Sequence, residues 1–368
     1  MVRVVSVQLR DFRSYSRAQA RFGEGLTVVH GPNGVGKSNL LEALYFGCAG
    51  RSPRTRNERE LVRFGAQATR VVVQLADGSR AHELSVGFEP GQPKRMSADG
   101  APVERLLDLE SRPLLSVFLP DRLELLKGPP AVRRAHIDQV VAAVRPARAA
   151  DRRAYSRVLA QRNALLAGIR TGRASRASIA TWDRQLAGHA LTLQEHRAGV
   201  IDLLAEPFAE RASQLGLTGA ASLDYRPRSR AIDEDEFVAE LQARFPGEIE
   251  RGFSTHGPHR DELAILRDGR ELRLYGSQGE QRLALLALLL AERTVLARER
   301  RRTPLMLLDD VMSELDSERR ELLARELSSG GQSVIATTDL AHVPGAASAA
   351  VTRLRVSPGA ILQEALAA

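Results

Sequence analysis

GLTVVHGPNGVGKSNLLEALYFGCAG, residues 25–50, decides the fold. Its centre, GPNGVGKS (31–38), fits G-x-x-x-x-G-K-[ST], the pattern of a phosphate-binding loop. The flanks are the ones that pattern requires. GLTVVH (25–30) reads as a short β-branched strand, and NLLEALYFGCAG (39–50) as an apolar-faced helix ending in Gly47 and Gly50. Gly31, Gly34 and Gly36 let the backbone turn tightly and aim N–H groups at phosphate oxygens. Lys37 offers a slim, flexible charge for β- and γ-phosphates, where Arg would be bulkier and forked. Ser38 carries the hydroxyl that ligates Mg²⁺ in such loops.

Outward from the loop, the matching half of a nucleotide site lies far downstream. TPLMLLDDVMSELD (303–316) contains the apolar run Leu305–Leu308, a central parallel strand, ending in Asp309 and Asp310. One carboxylate at that strand end can hold Mg²⁺ through water, and a second can orient or deprotonate the attacking water. Two adjacent carboxylates there repel each other without a cation. QSVIATTDL (332–340) reads as another buried strand. Between these, YGSQGEQRLALLALLLAER (275–293) starts polar and continues as a helix apolar on nearly every side. Its start, Ser277 to Gln281, offers free N–H groups and a partial positive charge suited to an anion; a plain capped helix start reads equally well.

Composition narrows the classes. At 368 residues, 43% hydrophobic and 27% charged, the chain has room for one large or two ordinary domains. The longest strongly apolar run, 283–291, is far short of a membrane span, and the opening MVRVVSVQLRDFRSY alternates like a strand, with no signal-peptide core. The single cysteine, Cys48, excludes an intrachain disulfide and a zinc cluster. A cytoplasmic protein with no membrane partner is expected. Fifty of the 53 basic residues are Arg, so the net charge of +8 says less than local clusters do. In 51–63 five Arg face two Glu; in 145–176 nine face one Asp. Both are candidate DNA contacts through the phosphate backbone, against the alternative of solvated faces. With aromatics at 4%, base stacking is not the expected mode. HGPH (256–259) lacks a third ligand at metal spacing, so loop ordering or a phosphate contact is expected of His259 and Arg260 instead.

The order of motifs resembles the ABC-type ATPases, and within them the RecF family, an SMC-like branch. The resemblance spans almost the whole chain. It rests on VQLRDFRSY (7–15), GRSPRTRNERELVRFG (50–65), FLPDRLELLKGPPAVRRAHID (118–138, with Arg122 where Leu is commoner), YSRVLAQRNALL (155–166) and STHGPHRDEL (254–263, with Glu262 for Asp) around the loop and strand motifs. It implies an α/β fold: an ABC-type head of mixed sheets and helices with an inserted compact helical lobe. The implied partition is 1–135 and 246–368 for the two halves of the head and 136–245 for the insert. It also implies a nucleotide site built from Gly31, Pro32, Asn33, Gly34, Val35, Gly36, Lys37, Ser38 and Asn39, with Lys37 and Asp310 catalytic and Ser38 and Asp309 on Mg²⁺. Ser277, Gln278, Gly279 and Glu280 would form the signature that meets ATP held by a second copy, and Asp316 would end the D-loop SELD. Two departures from the wider ABC pattern stand out: Asp310 replaces the catalytic Glu, and Thr338 the switch His. The Q-loop glutamine has only a weak candidate, Gln74.

The implied activity is weak, DNA-dependent ATP hydrolysis in recombinational gap repair. The implied partners are duplex and gapped DNA, RecO and RecR with RecA downstream, and a homodimer formed with ATP. The rivals are a non-catalytic ATP-gated clamp and a transporter ATPase subunit. The second normally carries LSGGQ rather than GSQGEQ and lacks a helical insert. A GTPase is disfavoured because no N-K-x-D motif is present.

Overall fold

The computed structural model describes residues 2–119 and 123–364; Arg122, one of the noted departures, lies outside them. The first stretch runs β1 (Val2–Phe12), β2 (Tyr15–Arg21), β3 (Leu26–His30), α1 (Lys37–Ala49), β4 (Thr69–Asp77), β5 (Arg80–Phe88), β6 (Arg95–Ala98), β7 (Ala101–Pro102) and β8 (Leu115–Phe118). Next come α2 (Leu123–Lys127), α3 (Pro130–Val144), α4 (Ala149–Arg170), α5 (Ile179–Gln214), β9 (Ala221–Arg226), α6 (Glu234–Arg251), β10 (Glu262–Arg267), β11 (Arg270–Glu271), α7 (Leu272–Tyr275) and α8 (Gln278–Arg300). The chain ends with β12 (Leu305–Asp309), α9 (Ser317–Ser329), β13 (Ser333–Thr337), β14 (Thr352–Ser357) and β15 (Ala360–Gln363). No described helix is long and apolar enough to cross a membrane.

Packing divides the chain into two compact units: Met1–Arg122 with Leu296–Ala368, and Leu123–Val295. The expected insert, 136–245, lies within the second unit, which begins at Leu123 and runs on to Val295. In the first unit, one sheet is antiparallel in the order β2-β1-β4-β5-β6-β7. The other has the order β15-β14-β3-β13-β12-β8, parallel from β14 to β8. The short alternating runs and turn signals of 66–118 suggest an antiparallel sheet, which β4 to β7 form, whereas the last strand, β8, pairs parallel with β12. Four residues carry no signal for the direction of a partner 190 residues away. All five positions of β12 and of β13 are buried, as strands covered on both faces must be.

Helix α1 sits between these two sheets. It packs on β1, β4 and β5 on one side and on β12 and β13 on the other. That is why LLEALYFGCA is apolar nearly all round: Leu40, Leu41, Leu44, Phe46 and Cys48 are each at most 1% exposed. Burial of each large side chain contributes about 1.5–3 kcal/mol. Gly47 is required by the closeness of the antiparallel sheet; a Cβ there would stand 2.4 Å from Val73 Cγ2. Burial lifts the Cys48 thiol to about 12, which leaves it unreactive.

The second unit is mostly helical. The expected helices are present, but β9 interrupts them and pairs with β10 in a three-stranded antiparallel sheet. Its core joins Tyr155 and Val158 of α4, Leu186, Ala190 and Leu193 of α5, and Phe237 and Leu241 of α6.

Candidate nucleotide site and its supports

The chain leaves β3 at His30 and enters α1 at Lys37, with Pro32, Asn33 and Gly34 on an exposed crest and Val35 half-buried. Gly31, Gly34 and Gly36 all have positive φ, at 150°, 80° and 117°. A Cβ at Gly31 would stand 2.4 Å from the Val356 carbonyl oxygen, and one at Gly36 2.8 Å from the Tyr15 hydroxyl. Tyr15 Oη donates to Gly36 O at 3.0 Å. The helix start at Gly36 has no side-chain cap, so its N–H groups stay open to an anion.

Lys37 is only 6% exposed. Its ammonium donates to Gly31 O at 2.8 Å and to Pro32 O at 2.9 Å, curling over the loop it serves. Burial holds its pKa below the ordinary lysine value, and the charges of Asp310 and Asp309 oppose that shift. Asp309, at the end of β12, is 5% exposed. Desolvation raises its pKa; a hydrogen bond from Ser38 and the charges of Arg54 and Lys37 pull it back, while Asp310 adds to the rise. Ser38 and Asp309 are thus in contact, as a shared Mg²⁺ requires. Two protein ligands suffice where phosphates and water complete the octahedron.

Asp310 follows in left-handed backbone, φ 52°. Such a conformation in a non-glycine residue costs on the order of 1–3 kcal/mol. It is held by Asp310 N donating to Ala336 O at 3.0 Å and by Ser313 Oγ donating to Asp310 O at 2.8 Å. Its Oδ1 is buried and has no hydrogen-bond partner. A buried carboxylate oxygen left open beside a buried ammonium and a phosphate-type loop fits a nucleotide with its cation and water. Asp316, by contrast, is spent locally. It caps α9 by accepting from Arg319 N at 3.0 Å.

A supporting network went unread in the sequence. Glu42, one turn into α1, is completely buried. Arg13, in the β1–β2 turn, donates to both its oxygens at 2.8 and 2.9 Å. Ser52 Oγ donates to it at 2.6 Å and Arg54 at 3.2 Å. Asn39 bridges the same two segments, donating to Ser14 Oγ at 2.9 Å and accepting from Arg54 at 3.2 Å. Arg13, Ser14, Ser52 and Arg54 lie within two stretches that carried the resemblance, 7–15 and 50–65, which was their only signal. Gln74 faces away from α1: its neighbours Val71 and Val73 approach Gly47, while Gln74 Nε2 donates to Glu83 at 2.6 Å on the outer face.

Ser277 to Glu280 belong to the second unit. They form a reciprocal cap on α8: Ser277 N donates to Glu280 Oε2 at 2.7 Å, and Glu280 N to Ser277 Oγ at 3.3 Å. Arg267 pairs with Glu280. Gln281 Nε2 fastens the preceding turn through Leu272 O and Gly276 O. Ser277, Gln278 and Gly279 are exposed, and nothing stands within 4 Å of a Cβ placed on Gly279. Leu274 and Tyr275 beside them are 63% and 66% exposed. The helix start is thus capped by its own side chains, on an exposed turn.

HGPHR in the same unit is structural. His259 uses both ring nitrogens internally, with Tyr155 Oη at 2.7 Å and Ser254 O at 3.0 Å. His256 Nε2 meets Glu240 at 2.5 Å. Arg162, one of the nine Arg in 145–176, is fully buried between Asp183 and Glu248 and cannot reach DNA.

Comparison with known proteins follows from this geometry. The AAA domain family matches residues 6–108. The DNA replication and repair protein RecF of Heliobacterium modesticaldum is 35% identical, covering 93% of each chain. That of Frankia alni is 35% identical over 97% of this chain and 98% of its own. Among solved structures, the recombination mediator protein RecF with ATP, of the RecFOR pathway, superposes with a TM-score of 0.87 at 25% identity, covering 99% of this chain and 98% of that one. The Smc head domain of Pyrococcus furiosus shares the fold, with a TM-score of 0.59 at 17% identity over 100% and 97%.

Proposed function

The chain belongs to the RecF family of DNA replication and repair proteins, and from that premise we propose that it is an ATP-gated DNA-binding protein of recombinational gap repair. One observation carries the reading furthest. Asp310 keeps a buried oxygen unpartnered, in strained backbone, beside Lys37, whose charge phosphates would offset, and Asp309, whose charge their cation would offset.

Bound ATP with Mg²⁺ would supply the phosphoryl group and the charges that complete the site. Asn33, Gly34 and Gly36 would present backbone N–H groups to its phosphates, with Pro32, Val35 and Asn39 shaping the cradle. Lys37 would swing from the Gly31 and Pro32 carbonyls to the β- and γ-oxygens. Ser38 and Asp309 would hold the cation. Asp310 would orient a water and accept its proton. Asp is one methylene shorter than the usual Glu, so water is held less closely and turnover is slow, as suits a timer. Ser277 and Gly279 of a second copy would close over the γ-phosphate, with Gln278, Glu280 and Asp316 at the junction. The exposure of Leu274 and Tyr275 beside the signature supports such a partner. The dimer would hold duplex DNA near a gap, release it on hydrolysis, and help RecA load with RecO and RecR.

ATP turnover with and without gapped duplex DNA is the deciding measurement. A slow basal rate that rises with DNA is expected; a rate indifferent to DNA removes the reason for placing the ATPase in repair. Ser277→Arg is expected to leave ATP binding by one chain intact and to abolish ATP-dependent dimers. Dimers formed by that variant would refute the signature's role in trans. The Asp at 310 also favours a second reading, a clamp for which ATP binding suffices. Full repair activity in Asp310→Asn would select it.

A further inference from the structure

The outer face of the antiparallel sheet carries a row of arginines that neither basic cluster in the sequence contains. Cross-strand pairing sets Arg17 opposite Arg10, Arg10 opposite Arg70, Arg70 opposite Gly87, and Gly87 opposite Arg95. Directly opposed residues share a face, so the four side chains line up across β2, β1, β4 and β6, interrupted only at Gly87. All four are exposed. Among the described residues none has a carboxylate partner; Arg70 reaches only Ser85 Oγ, at 3.0 Å. Like charges opposed across strands destabilise a sheet. A row of four without counter-charge is therefore a cost to the fold that a bound polyanion would offset.

We propose that this row is a docking surface for the phosphate backbone of duplex DNA, resting on the DNA-binding reading above. Five strands at about 4.8 Å make it roughly 19 Å long. One DNA strand presents about five phosphates over that length. The adjacent row holds exposed Gln19 and Gln8, half-buried Val72 and Ser97 and buried Ser85, none of them aromatic. That chemistry reads backbone, not stacked bases. Charge complementarity thus selects nucleic acid, and the absence of stacking surface on this face favours a duplex.

The surface is also tied to the nucleotide loop. Arg10 and Arg17 stand on the two strands of one hairpin. Its turn carries Arg13 and Ser14 and leads into Tyr15, the residues that hold Glu42, Asn39 and Gly36. DNA seated on the row therefore bears on the same hairpin that sets the backbone of the phosphate loop.

The test is the salt dependence of duplex binding by the full chain with ATP. Replacing all four, R10Q/R17Q/R70Q/R95Q, is expected to flatten the slope of log K against log salt by about 3–4 and to weaken binding at least tenfold at low salt. Its melting temperature should be unchanged or higher, since repulsion is relieved. A second variant works in the opposite sense. A Cβ at Gly87 meets nothing closer than 4.0 Å, so Gly87→Arg completes the row and should steepen the slope by about 1. Wild-type slopes in both variants would overturn the assignment and leave the row to an acidic protein surface. A wild-type chain that fails to bind duplex at all would sink the DNA reading itself, a result distinguishable from loss in the variants alone.

Discussion

Two clusters of buried charge, one in each unit, look alike in the sequence and behave as opposites in the structure. In the second unit Arg162 binds Asp183 at 2.6 Å and Glu248 at 2.5 Å, and Ser254 and Thr255 occupy further lone pairs and protons. Nearby Arg197 spans Asp138 at 2.8 Å and Asp261 at 3.0 Å. Every ion there faces an opposite ion. At the phosphate loop, Lys37 forms no ion pair with Asp309 or Asp310, although the field of each acts on it. It bonds backbone carbonyls, and Asp310 leaves an oxygen open. The first arrangement is architecture: each charge has its counter-ion, and only Arg162 Nη2 is left without a hydrogen bond. The second is a site, poised for charges the chain does not supply. Burial of ions alone does not mark function; the absence of an ion-pair partner does.

The sharpest way to break this comparison is Arg162→Ala. It leaves Asp183 and Glu248 buried without their cation, a loss of about 3–5 kcal/mol. Chemical denaturation should show a lowered midpoint, and an unchanged midpoint would mean that the cluster is not structural.

His259 gives the next largest effect. Burial, its first cause, brings the folded pKa from 6.5 to about 4. Between those values the unfolded state takes up a proton that the folded state refuses. This contribution to stability is intact above about pH 6.5 and falls as pH drops toward 4, by up to about 3 kcal/mol. His259→Asn should flatten that segment of a stability–pH profile; an unaltered profile would remove His259 as its source.

The smallest effect has the opposite sign. Asp309 is buried with its pKa raised, so its ionised form weakens the ligand-free fold at neutral pH. Asp309→Asn is expected to gain about 1 kcal/mol without ligand and to lose Mg²⁺-dependent tightening of ATP binding. A destabilised Asn variant would place Asp309 with the structural ions instead.

What could be read without coordinates was local. Residues 31–36 form a loop whose closely spaced glycines, Gly31, Gly34 and Gly36, set their own dihedrals, so the sequence alone located Lys37 and Ser38 and the strand and helix around them. Asp309 and Asp310 were legible because an apolar run ending in two acids can only be a buried strand meeting a charge. The cap written into Ser277 and Glu280 was equally short-range. Tertiary structure decided the rest, because it depends on pairing between distant segments. Arg13 and Arg54 meet over Glu42 only because a hairpin and a loop fold onto one helix. Arg162 appeared as one of nine basic residues and became the centre of a buried ion cluster. Arg10, Arg17, Arg70 and Arg95, scattered over 86 positions of the sequence, form one row only through the register of five strands, where a shift of one residue would turn each onto the opposite face.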